Sequence, residues 1–205
     1  HAITFNATDT AGNTGSTTAP FNLTVDTVVP SAPVISTAAD NVGSIQTPLS
    51  SGQSTDDTTP NFTATAGNAT GDNATVTVKV YSTATPAVLL STITATRSGA
   101  SVTVTDQNWA DATGLTSLSN ATFTATVTQG DNVSNTATST AITFTVDTTA
   151  PTPTLAAVGN GDKRTGDNTP NFTGTAGDAT GDDTSVTVKV YNSSSVLVPT
   201  ITASR

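Results

Sequence analysis

The chain lacks cysteine, methionine and glutamate, and its single histidine is His1. Without cysteine there is no disulfide scaffold, thiolate metal site or cysteine nucleophile. With histidine confined to the first position, neither a histidine-based triad nor a histidine-ligated zinc site can be assembled. Basic residues are scarce as well: 6 Lys and Arg stand against 15 Asp, for a net charge of −9 over 205 residues. Such a chain does not present the basic face that nucleic-acid phosphates demand. No apolar run approaches the roughly 20 residues of a membrane-spanning helix. Aromatic residues make up only 4% and apolar residues 34%, many of them Ala, so any core must be thin.

What is abundant is Thr, at 49 positions. It alternates with Val, Ile, Phe or Ala in TVTVKVY at 75–81, FTATVT at 123–128 and AITFTV at 141–146. A period of two with β-branched residues is the pattern of half-buried strands, with Thr facing outward. No segment carries a helical period, so the fold class is all-β.

Internal repetition sets the organisation. DTTPNFTATAGNATGDNATVTVKVY at 57–81 recurs as DNTPNFTGTAGDATGDDTSVTVKVY at 167–191, an offset of 110. TITATR at 92–97 returns as TITASR at 200–205, DTVVP at 26–30 as DTTAP at 147–151, and DTAGN at 9–13 as DNVSN at 131–135. The spacing predicts one module of about 110–120 residues, repeated in tandem. The interval from Asp26 to Asp57 is 31 residues and that from Asp147 to Asp167 is 20. The difference of 11 falls on TAADNVGSIQTPLSSGQST at 37–55, a Ser/Gly/Pro-rich stretch read as a loop, where added length costs little. Three parts follow: the closing strands of a first module (1–26), a whole module (27–147) and the front of a third (148–205). A third module that stops where the second still has SGASVTVTDQNWADATGLTSLSNA to come would leave open strand edges. We therefore expect an excerpt of a longer array.

In the whole module, strands are expected near 33–36, 61–66, 74–81, a hairpin over 88–97, 101–105, a strand around Trp109, 121–128 and 139–146. Seven or so short strands in this length predict tandem immunoglobulin-like β-sandwich domains without the disulfide. The expected inward set is Phe62, Val76, Val78, Val80, Ile93, Val102, Val104, Phe123, Val127, Ile142, Phe144 and Val146, with Trp109 in or over that core.

Several strings together carry a resemblance: DTTAP, DNTPNFTGTAG, the VTVKVY strand, QNW, FTATVTQGDNVSN and a closing FTVD. In this order they resemble the bacterial immunoglobulin-like repeats of giant surface adhesins, over essentially the whole chain. The resemblance implies an extracellular protein of the bacterial cell surface or biofilm. Its repeats would act as extender arms projecting an adhesive tip, with calcium bound at many domain junctions. Neighbouring repeats of the same chain would be its partners, beside a surface or matrix target recognised elsewhere. The chain departs from the family in the loop after the second strand, which reads AGNATGDNA at 66–74 and AGDATGDDT at 176–184.

A cation site must therefore be argued from these residues. In a sandwich of this topology the two loops preceding the third and last strands lie at the end where the linker enters. This gathers Asp26, Asp72 and Asp131 for the second module, with Asn68, Asn73 and Asn132 adding amide oxygens. For the third module it gathers Asp147 with Asp178, Asp182 and Asp183. Convergent carboxylates repel unless a cation neutralises them, and flexible oxygen-rich loops suit Ca2+ better than Mg2+. Zinc and copper lack suitable ligands. Asp56, Asp57 and Asp167 read as turn caps, and Asp40, Asp106, Asp111 and Asp162 as ordinary turn residues. A cation shared between linker and loops would lock the interdomain angle, while Pro30 and Pro151 restrict the linker. The second junction is expected to bind more tightly, because Asp178 and Asp183 replace Asn68 and Asn73.

Nine N-x-[ST] sequences, including Asn6, Asn61, Asn73 and Asn171, follow from the Ser/Thr-rich composition. Lys79 and Lys189 lie between Val residues and so face outward, away from any buried cross-link. Paired Asp residues can serve a glycosidase, but these sit in turns of a repeated domain, and no enzyme is expected. Two alternatives stand beside the adhesin arm: a structural filament or surface layer, and a glycan- or protein-binding module.

Overall fold

The computed structural model describes residues 1–16, 19–43, 46–156, 164–179 and 182–205. Asp162, read above as an ordinary turn residue, lies outside them. Residues 1–26 hold β1 (Ala2–Ile3), β2 (Asn6–Thr8), β3 (Thr14–Ser16) and β4 (Phe21–Asn22). The central stretch opens with β5 (Val34–Ala39), β6 (Pro48–Leu49), β7 (Ser54–Thr55), β8 (Asn61–Thr65), β9 (Asp72–Ser82), β10 (Leu89–Thr96) and β11 (Ser101–Val104). Helix α1 (Asp106–Ala110) follows, then β12 (Thr113–Gly114), β13 (Ala121–Asp131), β14 (Thr136–Thr138) and β15 (Ile142–Val146). The last part contains β16 (Thr154–Leu155), β17 (Gly174–Thr175), β18 (Ser185–Tyr191) and β19 (Leu197–Ser204).

The fold is all-β, and its centre is a sandwich. One sheet runs β12-β10-β9-β13-β15-β7, with β14 also on β13; the other runs β11-β8-β5-β6. Every pairing within them is antiparallel except β15 with β7, which is parallel. Alternation drives the packing. Val76, Val78 and Val80 of β9 and Phe123, Ala125 and Val127 of β13 are buried, and the Thr residues between them are not. Phe62 of β8 reaches across to Phe144 of β15 with ring centroids 5.8 Å apart, and Phe144 meets Phe123 at the same separation. Of the expected inward set only Ile142 falls short of full burial, packing against the core from its margin. On the outer faces, Thr residues bond across strands, as in Thr122 to Thr145 at 2.9 Å and Thr37 to Thr63 at 2.6 Å. These cross-strand hydroxyl pairs are one physical use of the Thr content.

Two local expectations are revised. The segment around Trp109 is helical, not a strand. Thr105 donates its N–H to the Asn108 side chain at 2.9 Å, and Asn108 reaches the Thr94 carbonyl of β10 at 2.9 Å. The turn thereby places Trp109 fully inside the core, where its Nε1 donates to the Pro60 carbonyl at 3.0 Å. The stretch 37–55 is more than a loop: it carries β6, whose Leu49 is buried, and β7.

The sequence repeat returns as repeated register. In the central sandwich Val78 opposes Ile93 and Lys79 opposes Thr92; in the last part Val188 opposes Ile201 and Lys189 opposes Thr200. Likewise Ala125 opposes Ile142 as Ile3 opposes Phe21, and Thr128 opposes Thr138 as Asn6 opposes Ser16.

Candidate metal centre at the two linkers of the central sandwich

The entering linker meets the sandwich where β9 begins and β13 ends. Asp72 and Asp131 are the first and last residues of these strands and are direct cross-strand partners. Like charges so opposed repel, and each carboxylate is instead supplied with N–H donors. Asp131 Oδ1 accepts the N–H groups of Val133 at 3.0 Å and Asn135 at 2.8 Å, and Oδ2 accepts the Asn135 side-chain amide at 2.7 Å. Burial pushes the Asp131 carboxyl up. The Asn135 side chain and the N–H groups of Val133, Asn135 and Ser134 outweigh it and hold the group below the ordinary carboxylate range.

Asn135 then extends this loop to the linker, donating to the backbone carbonyls of Asp26 at 3.3 Å and Val28 at 3.4 Å. Asp26 itself caps the linker turn, its Oδ1 accepting Val28 N–H at 3.0 Å, and Pro30 is buried. The same five-residue loop is built at Asp9–Asn13, with Ala11 and Asn13 N–H groups each 2.9 Å from Asp9 Oδ1. In that earlier copy the Asn13 side chain leads the donors that lower the Asp9 pKa. The fourth loop position is left-handed in both, Gly12 at φ 90° and Ser134 at φ 73°.

The loop between β8 and β9 is held from beneath and from the side. Gln129, 1% exposed, accepts Gly67 N–H at 2.7 Å and donates to the Gly67 carbonyl at 3.0 Å and the Asn73 carbonyl at 2.8 Å. A Cβ on Gly67 would lie 2.5 Å from Asp72 Oδ2 and 3.1 Å from the Ser31 backbone nitrogen, so a larger residue would have to displace the Asp72 carboxylate. Asp72 Oδ2 accepts Ala69 N–H at 2.9 Å. Across the top, the Arg97 guanidinium donates to the carbonyls of Asp72, Asn73 and Gly99 and to Asn68 Oδ1. The last part repeats the device: Asp182 Oδ2 accepts Ala179 N–H at 3.0 Å, and Arg205 donates to the carbonyls of Asp182 and Gly177.

At the leaving linker, Asp147 follows β15, with its N–H on the Thr55 carbonyl at 2.8 Å and its Oδ1 accepting Thr149 N–H at 3.0 Å. Asn120 stitches Thr148 and Thr149 back to the sandwich, its Oδ1 3.0 Å from Thr148 N–H and its amide 2.6 Å from Thr149 Oγ1. Asp147, Asp178 and Asp182 line an open hollow of about 550 Å³ around this linker. An adjoining hollow of about 390 Å³ is lined by Asp147, Asp182 and Asp183 together with Asp40 and Asp56. Asp183 is held ionised by the Ser185 N–H and hydroxyl first, with Arg205 adding to the effect.

The two ends therefore differ in what they offer a cation. At the entering linker, Asp131 has both oxygens on N–H donors, Asp26 and Asp72 each have one, and Asn68 is taken by Arg97. At the leaving linker five carboxylates border one hollow; among the described residues Asp40, Asp147 and Asp182 each accept one backbone N–H on one oxygen, and Asp183 accepts from Ser185. In neither place do three described carboxylates stand within coordinating distance of one point. The carboxylates bordering the hollow at the leaving linker are hard oxygen ligands of the type that Ca2+ takes. No protein-family model matches the chain, and no curated protein matches it.

The parallel pairing of β7 with β15, which brings Asp56 beside Asp147, leaves no local signal in the chain; Asp40 caps a turn as expected, its Oδ1 accepting Val42 N–H at 3.0 Å. Gln129, Asn135 and Arg97 were also missed. The repeated terminal Arg of TITATR and TITASR was the one trace of the guanidinium clamp visible in the chain.

Proposed function

We propose that the chain is a set of structural extender repeats of a large bacterial cell-surface adhesin, supporting adhesion or biofilm formation. Its task is mechanical: to hold successive sandwiches at a set angle. The observation that carries this reading is the way side chains tie each linker to the central sandwich, Asn135 at the entering end and Asn120 at the leaving end. A ligand-binding module has no need of such stitching at both ends. At the leaving linker, bound Ca2+ would neutralise the carboxylates facing the hollow, and the angle would stiffen. At the entering linker, protein N–H donors already do much of this, which supports tighter calcium binding at the second junction.

The test is X-ray scattering of the whole chain with calcium and with chelator. Calcium is expected to lengthen the particle and narrow its size distribution, and the double substitution Asp147→Asn with Asp182→Asn to abolish both effects. Identical scattering profiles in calcium and in chelator would defeat the reading.

A further inference from the structure

Asp57 is the adjoining residue to Asp56, but it turns into the sandwich and not toward the linker. It is 1% exposed, and its Oδ2 has no hydrogen-bond partner. Burial leads the effects that push its carboxyl up, with Asp106 adding to them. Its Oδ1 accepts Thr59 N–H at 2.7 Å. The Thr59 hydroxyl lies 3.2 Å from that same oxygen and 3.4 Å from Asp106 Oδ1, and its one proton can serve only one of them. The Asn41 amide lies 3.3 Å and 3.4 Å from the two Asp106 oxygens. The Asn41 N–H is a further donor toward the Asp57 carboxyl and works against the effect of burial, while Oδ2 itself has no partner. A second buried oxygen, Asn61 Oδ1, is also without a partner.

Register explains why these groups share a corner. Asn61 opposes Ala39, two residues before Asn41, and adjoining Phe62 opposes Val104, two residues before Asp106. The corner thus holds two carboxylates that compete for one hydroxyl proton, and one of their oxygens, Asp57 Oδ2, is buried without a partner. Leaving a buried acceptor unsatisfied is costly, and a buried carboxylate more so. An oxygen-only set with surplus negative charge is the chemistry of a hard cation.

We propose that Asp57 and Asp106, with the Thr59 hydroxyl between them, form a calcium site at the edge of the central sandwich, separate from the linker hollow. It fastens the segment before β8 to the segment after β11, and so stiffens the sandwich itself. The site does not depend on the junction reading.

Calcium bound per chain, counted by equilibrium dialysis on the full-length chain and its variants, tests this. Asp106→Asn is expected to bind one ion fewer than the parent, while Asp182→Asn keeps that ion. Because Asp106 is exposed, its variant should melt like the parent in chelator. It should lose the calcium-dependent rise, about 10 °C at a calcium concentration a hundredfold above Kd. Asp57→Asn should also bind one ion fewer, and Asp106→Asn keeps the test decisive if that buried variant fails to fold. An Asp106→Asn chain that binds as much calcium as the parent would overturn the site. So would an Asp182→Asn chain that binds none. Calcium binding by Asp182→Asn that is lost in Asp106→Asn upholds the corner site whatever becomes of the junction.

Discussion

Replacing Gln129 by Leu isolates the buried amide that anchors the loop at the entering linker. The side chain keeps a similar volume but removes all three hydrogen bonds, to Gly67 N–H, the Gly67 carbonyl and the Asn73 carbonyl. Gly67 is buried, so its N–H and carbonyl cannot both find water when the amide is gone. Each orphaned backbone group costs about 1–3 kcal/mol, so two of them cost about 4 kcal/mol. Spread over a sandwich of this size, that lowers the melting midpoint by about 15 °C. Urea unfolding followed by the fluorescence of Trp109, the one Trp and wholly buried, reads the change directly. Gln129→Glu should fall between parent and Leu variant at neutral pH, since it keeps an acceptor for Gly67 N–H but sets a carboxylate against two carbonyls. A loss under about 1 kcal/mol for the Leu variant would refute the reasoning, because it would mean the loop finds other partners at no cost.

Other consequences can be checked in the same assay. Ser134→Gly should stabilise the chain by about 0.5–1 kcal/mol, because Ser134 holds the left-handed position that Gly12 fills in the earlier copy of the loop. For Asp131, whose folded pKa lies below its unfolded value, the sign is that of a group stabilising in its ionised form. Its contribution is present above the ordinary aspartate value of about 3.9 and is lost as pH falls through the folded pKa. Asp131→Asn should therefore be less stable than the parent at pH 7, with the gap closing below about pH 4. A gap that stays constant down to acid unfolding would contradict the assignment.

Much of the sandwich was legible because its strands are amphipathic with period two. Val76, Val78 and Val80 announce β9, and Phe123 and Val127 announce β13, since each must bury one face. Helix α1 was not legible: five residues span little more than one turn, too few to display a period, and its start depends on Asn108 reaching back to Thr105. β7 was hidden for another reason. Two residues in a Ser-rich stretch become a strand only because β15, some ninety positions later, lies alongside. At the linkers the clustering of loops was legible from topology, as Asn132 N–H on the Gly71 carbonyl at 3.0 Å illustrates. What composition does not reveal is how a carboxylate spends its oxygens. Asp131 and Asp147 read alike as letters, yet one is enclosed by N–H donors and the other borders open space.

The parallel seam between β7 and β15 has a consequence for a tethered chain. The seam is closed by Thr145 N–H on the Gln53 carbonyl at 3.0 Å, Gly52 N–H on the Thr143 carbonyl at 2.6 Å and Asp147 N–H on the Thr55 carbonyl at 2.8 Å. Tension applied through the leaving linker drags β15 forward, while tension through the entering linker drags β7 back by way of β5. Hydrogen bonds in a ladder run across the strands, so sliding strains these three at once, where peeling would break them singly. In a chain loaded this way the seam would share the pull among its rungs, and the rate of rupture, more than equilibrium stability, would decide how long the sandwich holds.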